Sequence, residues 1–163
     1  CAAVMRGVPL QDLTSPLRSH RKLLSSVVIR QDHSATGGIH PLNASVAHGI
    51  NVPRAISQAL QEAAVSASDV DAIAVTRGPG MMQSLSNGMV AAKTLSSVLR
   101  KPLIYVHHMV AHALTPLFTE PEDKQPTFPF LTLLVSGGHT MLVLASGVSD
   151  YRILATTTDD SIG

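Results

Sequence analysis

Residues 70–106 read VDAIAVTRGPGMMQSLSNGMVAAKTLSSVLRKPLIYV, and the apolar pattern in this segment predicts the central unit of the structure. The run VDAIAVT (70–76) is apolar, β-leaning and too short for a typical helix, so it predicts a buried strand. RGPG (77–80) predicts a turn, and PLIYV (102–106) predicts the next strand. Between them, apolar residues recur on one helical face: Leu85, Met89, Ala92, Leu95 and Leu99. The order of strand, helix and strand predicts a βαβ unit with two parallel strands.

The flanking segments predict a mixed α/β fold. An Ala-rich helix is predicted over about 42–64, because Ala55, Ile56, Ala59, Leu60, Ala63 and Ala64 share one stripe. Strands are predicted at 23–31, 130–136, 140–146 and 151–156, the last three joined by connections short enough for antiparallel hairpins. Hairpins together with a helical crossover favour one mixed sheet covered by helices. The actin, sugar-kinase and Hsp70 group is built in this way, and a generic doubly wound fold is the alternative.

Composition excludes several classes of protein. The 163 residues are 45% apolar and 3% aromatic with a net charge of +1, which is typical of a globular domain. Cys1 is the only cysteine, so no internal disulfide can form and a reducing compartment is expected. No apolar run reaches the roughly 18 residues of a membrane span. Basic residues in the first 30 positions indicate a solvated surface or a nucleic-acid contact. Because residue 1 is Cys and the chain stops at DDSIG, we expect a fragment of a larger protein.

The sequence YVHHMVAHAL (105–114) places His108 and His112 four positions apart on a helix predicted from about His107. That spacing suits two imidazoles that converge on one metal ion, but it equally suits two polar residues on one helical face. No Glu follows His108, so the zinc-protease pattern is absent. A third ligand would be needed, and the adjacent carboxylates at 159 and 160 are candidates.

Two glycine turns are candidates for phosphate binding. LVSGGHT (134–140) runs from a strand into two glycines, whose backbone N–H groups could approach a phosphate closely, although a simple hairpin turn also explains them. TRGPGMMQS (76–84) precedes a helix N-terminus but lacks the Gly-Lys-Ser/Thr ending of a P-loop, which argues against a Walker-type ATPase.

Five motifs in this order resemble the universal tRNA threonylcarbamoyltransferase family: TGGIHPLNASVAH (36–48), TRGPG (76–80), HHMVAH (107–112), FPFLTLLVSGGHT (128–140) and DDSIG (159–163). The resemblance implies an actin-like ATPase fold, of which the chain carries an incomplete, mostly N-terminal lobe over 23–163. It also implies transfer of a threonylcarbamoyl group from threonylcarbamoyl-AMP to N6 of adenine 37, in tRNAs that read codons beginning with A.

The resemblance also implies the site residues. His108 and His112 match the family's metal ligands for one divalent ion, zinc or iron. The residues that match its adenylate-binding stretch are Leu134, Val135, Ser136, Gly137 and Gly138. The acid usually found inside the dihistidine motif is Val110 here, so no role of that acid is transferred. The family's opening strand and third metal ligand are absent, and residues 1–22 are expected to be an atypical segment, with 6–22 as an insertion.

The organellar branch of the family is the expected relative, which implies a homodimer in the full-length protein and a mitochondrial location, with the cytoplasm as the alternative. The chain alone is expected to be inactive. Two other readings stay open: an inactive fragment that binds adenylate or a partner chain, and another metal-dependent transferase of the actin fold.

Overall fold

The structure is a computed structural model, and it describes residues 1–7, 22–136 and 140–158. The chain divides into two compact units, residues 1–107 and 108–163. The helices and strands of the first unit are β1 (Ala2–Arg6), β2 (Lys22–Val27), α1 (Pro41–Ala63), β3 (Ile73–Gly78), α2 (Met82–Leu99) and β4 (Leu103–His107). Those of the second are α3 (His108–Leu114), α4 (Pro116–Thr119), β5 (Phe130–Val135), β6 (Thr140–Gly147) and β7 (Asp150–Thr156).

The βαβ unit predicted from 70–106 is confirmed. β3 and β4 pair in parallel, from Ile73 opposite Leu103 to Gly78 opposite His107. The crossover helix α2 packs on β3, and a Cβ at Gly88 would lie 3.9 Å from a methyl group of Val75. A glycine at this point lets the helix lie close to the strand.

The long helix α1 packs on the antiparallel pair β1–β2. Its stripe is buried at Ala55 and Ala59, which form a core cluster with Val27. The hydroxyl of Ser25 donates a 2.7 Å hydrogen bond to the carbonyl of Ala59, so a buried polar side chain on β2 is satisfied by the helix that covers it. Because Ala55 and Ala59 have small side chains, the backbone of α1 can approach β2 closely enough for this hydrogen bond.

The second unit is the antiparallel meander predicted from the short connections. β6 lies between β5 and β7, with Val135 opposite Thr140 where β5 and β6 join. α3 packs against β5, and this unit buries Ala113, Val143 and Ala145. Alternate residues of β5 remain 49–65% exposed, namely Leu131, Leu133 and Val135.

Two features differ from the sequence predictions. The described strands form three separate sheets, β1–β2, β3–β4 and β5–β6–β7, instead of one mixed sheet. Each ladder joins strands that are consecutive in the sequence. The strand predicted at 23–31 is shorter in the structure, where β2 ends at Val27, opposite Ala2 of β1.

Some expectations concern residues beyond this description. The insertion expected at 6–22 includes residues 8–21, which lie outside the described residues. The division of the chain at residue 22 stays a prediction.

Among the described helices, none combines the length and apolar character that a membrane crossing requires.

Candidate metal and adenylate site

The dihistidine pair lies on the short helix α3. His107 is the last residue of β4 and His108 the first of α3, so the helix starts one residue after the predicted position. His112 follows one turn later, on the same face. Ala113, on the neighbouring face of α3, is only 2% exposed and is therefore buried, whereas the side chain of His112 is exposed. On the stripe next to Ala113, His112 is exposed and His108 is half-buried.

The two imidazoles converge. Their Nε2 atoms are 3.0 Å apart, and the ring centroids are 4.7 Å apart with an interplanar angle of 35°. Two nitrogen ligands at about 2.0–2.1 Å from one ion would be separated by roughly 2.9 Å at right angles and roughly 3.3 Å in a tetrahedron. The observed separation therefore fits a shared ion, and it also fits one N–H···N hydrogen bond between neutral tautomers.

A third ligand is not assembled within the described residues, since no group of three His, Cys, Asp or Glu side chains comes together there. The candidate carboxylates Asp159 and Asp160 lie outside the described residues. Half-buried Val110, between the two histidines, offers no donor atom. Of the two or three ligands that a metal ion would need, the described part of the chain brings together two imidazole nitrogens.

The candidate adenylate stretch follows β5 in the same unit as α3. Leu134 and Val135 end β5, and Ser136 follows as a half-buried residue. Gly137 and Gly138 lie outside the described residues. Because Val135 pairs with Thr140, the hairpin expected from the two glycines is confirmed, while adenylate binding by this stretch stays a prediction.

A hydrogen-bonded turn at residues 32–34, which precedes the TGGIHPLNASVAH motif, was not predicted from the sequence. A carboxylate oxygen of Asp32 accepts a 2.9 Å hydrogen bond from the backbone N–H of Ser34, and Nδ1 of His40 accepts a 3.5 Å bond from Asn43 at the start of α1. The spacing Asp-x-Ser is a usable signal for such a turn. Hydrogen bonds from the backbone and side chain of Ser34, with a smaller effect of His33, lower the pKa of Asp32 below its ordinary value of 3.8.

This turn should loosen in acid. Because the pKa of Asp32 is lower in the folded chain, its stabilising contribution is present above pH 3.8 and is lost as the pH falls through the folded pKa. We expect the Ser34 amide proton to exchange faster in acid than intrinsic exchange alone explains, measured by NMR. Asp32→Asn, which keeps an acceptor without a titrating charge, should remove the pH dependence; an unchanged dependence would refute the assignment.

Comparison with known proteins identifies the family. Residues 22–163 match the family model described as TsaD: tRNA N6-adenosine threonylcarbamoyltransferase. A protein named tRNA N6-adenosine threonylcarbamoyltransferase from Methylorubrum populi is 47% identical over 144 residues, which is 87% of this chain and 40% of the relative. A protein of the same name from Persephonella marina is 46% identical over 147 residues, covering 89% of this chain and 42% of the relative.

A solved structure, YeaZ from Pseudomonas aeruginosa, is similar with a TM-score of 0.49 and 19% identity, covering 68% of this chain and 51% of YeaZ. The chain spans about two-fifths of the length of the curated relatives named above. The family model matches well over half of the chain and includes all five motifs. The chain therefore belongs to the tRNA N6-adenosine threonylcarbamoyltransferase family, which confirms the resemblance and the actin-like α/β fold expected from it.

Proposed function

We propose that this chain carries part of the active site of a threonylcarbamoyl-AMP:tRNA transferase, comprising two metal ligands and the start of an adenylate-binding turn. The observation that supports it most directly is the 3.0 Å separation of the His108 and His112 Nε2 atoms, in a chain that matches the family over 22–163. Both histidines and β5 belong to one compact unit, in which α3 packs on β5.

In the proposed reaction, N6 of adenine 37 attacks the carbamoyl carbon of threonylcarbamoyl-AMP. A new C–N bond forms, the C–O bond to the phosphate breaks, AMP leaves with the electron pair, and N6 loses a proton. His108 and His112 would hold one divalent ion, zinc or iron, which would supply Lewis-acid stabilisation of the charge that develops. Backbone N–H groups from Ser136 to Gly138 would hold the phosphate of the adenylate in place.

Adenine 37 must be accessible to this site. A base in the anticodon loop can be splayed out of its stack, at a cost of a few kcal/mol, to reach a protein pocket.

We further propose, on the resemblance to the organellar branch alone, that the protein is a homodimer in mitochondria. Cell fractionation would test the location.

A chimera provides the functional test. Residues 22–163 would replace the corresponding segment of the Persephonella marina relative, which is 46% identical in this region. We expect the purified chimera to form the modified nucleoside from tRNA transcript and threonylcarbamoyl-AMP, detected by mass spectrometry. His108→Ala in the chimera should lose the product. The 163-residue chain alone should form none, since a catalytic ion usually takes three protein ligands.

His48→Ala in the chimera is the matched control, because it removes an imidazole from α1 without changing α3. A folded chimera that binds metal and tRNA but makes no product, while the relative does, would contradict the proposed function. Product formed by the 163-residue chain alone would instead show that its own residues complete the site.

A further inference from the structure

Backbone and side-chain hydrogen bonds hold the dihistidine pair of α3 in place. The two Nε2 atoms lie 3.0 Å apart, with His112 exposed and His108 half-buried. Directly after the pair, the backbone N–H of Thr115 donates a 3.3 Å hydrogen bond to the carbonyl of His112, and the Thr115 hydroxyl donates a 2.8 Å bond to the carbonyl of Ala111. These bonds fix the last turn of α3, so the two imidazoles form a pre-organised pair of ligands.

Two imidazoles are only half of a tetrahedral coordination sphere. Structural zinc sites have four protein ligands, and catalytic zinc sites have three. Among the residues that the structure describes, no group of three His, Cys, Asp or Glu side chains comes together. The segment 102–119, which includes α3 and both of its ends, contains no Asp, Glu or Cys at all. The other ligands must therefore come from more distant residues or from a second molecule.

The surroundings of the pair favour a second copy of the chain as that molecule. Residues 102–119 include no charged side chain, so two copies of this segment can approach each other without like-charge repulsion. A two-fold axis brings the same residues of both copies together. An ion on such an axis meets two imidazoles from each copy, which makes four nitrogen ligands. Four is the number that a tetrahedral zinc site requires.

We propose that one zinc ion links two copies of this chain through their α3 helices, with His108 and His112 of each copy as its ligands. The 3.0 Å separation of the Nε2 atoms is close to the roughly 3.3 Å that a tetrahedron requires. Four protein ligands leave no open position for a substrate, so the linked form is expected to be catalytically inactive. The inference rests on the metal ligands of the proposed function and names a partner for the same site.

Zinc titration of the purified 163-residue chain tests this link. In sedimentation equilibrium, Zn²⁺ should double the molecular mass, with the change complete at one ion per two chains and reversed by EDTA. His108→Ala and His112→Ala should each weaken the zinc-dependent association by at least about a hundredfold. Each substitution removes two of the four ligands, and loss of a group that only orients a ligand already costs about 10- to 100-fold in affinity.

His107→Ala is the matched control. It removes the neighbouring imidazole, at the end of β4, and His107 joins no group of three candidate metal ligands among the described residues. This variant should keep both the zinc-dependent doubling and the stoichiometry. Circular dichroism would establish that all three variants keep their secondary structure.

Elemental analysis after gel filtration separates the remaining outcomes. One ion per chain without a change in mass would overturn the inference and keep the metal site, because the other ligands would then belong to the same chain. No bound zinc would overturn both the link and the two metal ligands. A zinc-dependent doubling retained by both α3 variants would assign the link to other residues and would also overturn the inference. Product formation is measured separately, in the chimera, so a failure of the proposed reaction is distinguishable from a failure of this link.

Discussion

In the chimera of the proposed function, replacing His108 or His112 by alanine should abolish stoichiometric binding of a divalent metal ion. The two Nε2 atoms are 3.0 Å apart, with the ring centroids 4.7 Å apart, which is close enough for both nitrogens to bind one ion. Loss of a group that merely orients a ligand costs about 10- to 100-fold in affinity, so loss of the ligand itself should cost at least about a hundredfold. Titration calorimetry with Zn²⁺, followed by elemental analysis after gel filtration, measures the change.

His48→Ala again serves as the control, because it removes one imidazole from the long helix α1 and leaves α3 untouched. Circular dichroism would establish that all three variants keep their secondary structure. If both α3 variants bound Zn²⁺ as tightly as the parent chain, the imidazoles would be a hydrogen-bonded pair of neutral tautomers, and the metal would belong to other residues. If binding fell as expected, absorption spectra of the Co²⁺ form would report the coordination number.

Local patterns were sufficient to predict much of this fold. The stripe of α1 and the alternation of strand, glycine turn and helix before β4 each depend on residues close in sequence, and all of these elements form where expected. The arrangement of the three ladders was predicted less well, because apolar runs such as those of β3 and β5 do not specify which strands share a sheet.

The site was predicted in part for the same reason. Helical spacing of four residues is enough to bring His108 and His112 together, so the pair could be identified from the sequence. A third ligand depends on contacts between distant segments, which spacing does not specify. The exposure of Leu42, Val46 and Ile50 on α1 was not predicted, because these residues satisfy the apolar pattern of a helix without indicating that their side faces away from the core.

Enlarging Ala145 should destabilise the unit that carries the dihistidine pair. Ala145 is 0% exposed in the central strand β6, and it lies opposite Phe130 on one side and Tyr151 on the other. A small residue between two aromatic neighbours leaves room for both rings, so the larger side chain of Ala145→Leu must displace one of them. Overpacking of this kind costs about 1–3 kcal/mol, equivalent to a fall in Tm of about 2–4 °C per kcal/mol. Differential scanning calorimetry measures the fall.

Ser146→Leu is the matched control, since it introduces the same side chain one residue further along β6 at an exposed position, which should leave Tm nearly unchanged. The Ala145 variant should also bind Zn²⁺ more weakly, although neither histidine is altered. α3 has only seven residues, too few for a stable helix in isolation, so the spacing of His108 and His112 depends on packing against β5. Equal Tm for the two leucine variants would contradict the packing at Ala145. A lower Tm with unchanged Zn²⁺ affinity, measured well below Tm, would show that α3 holds the two imidazoles together without support from the sheet.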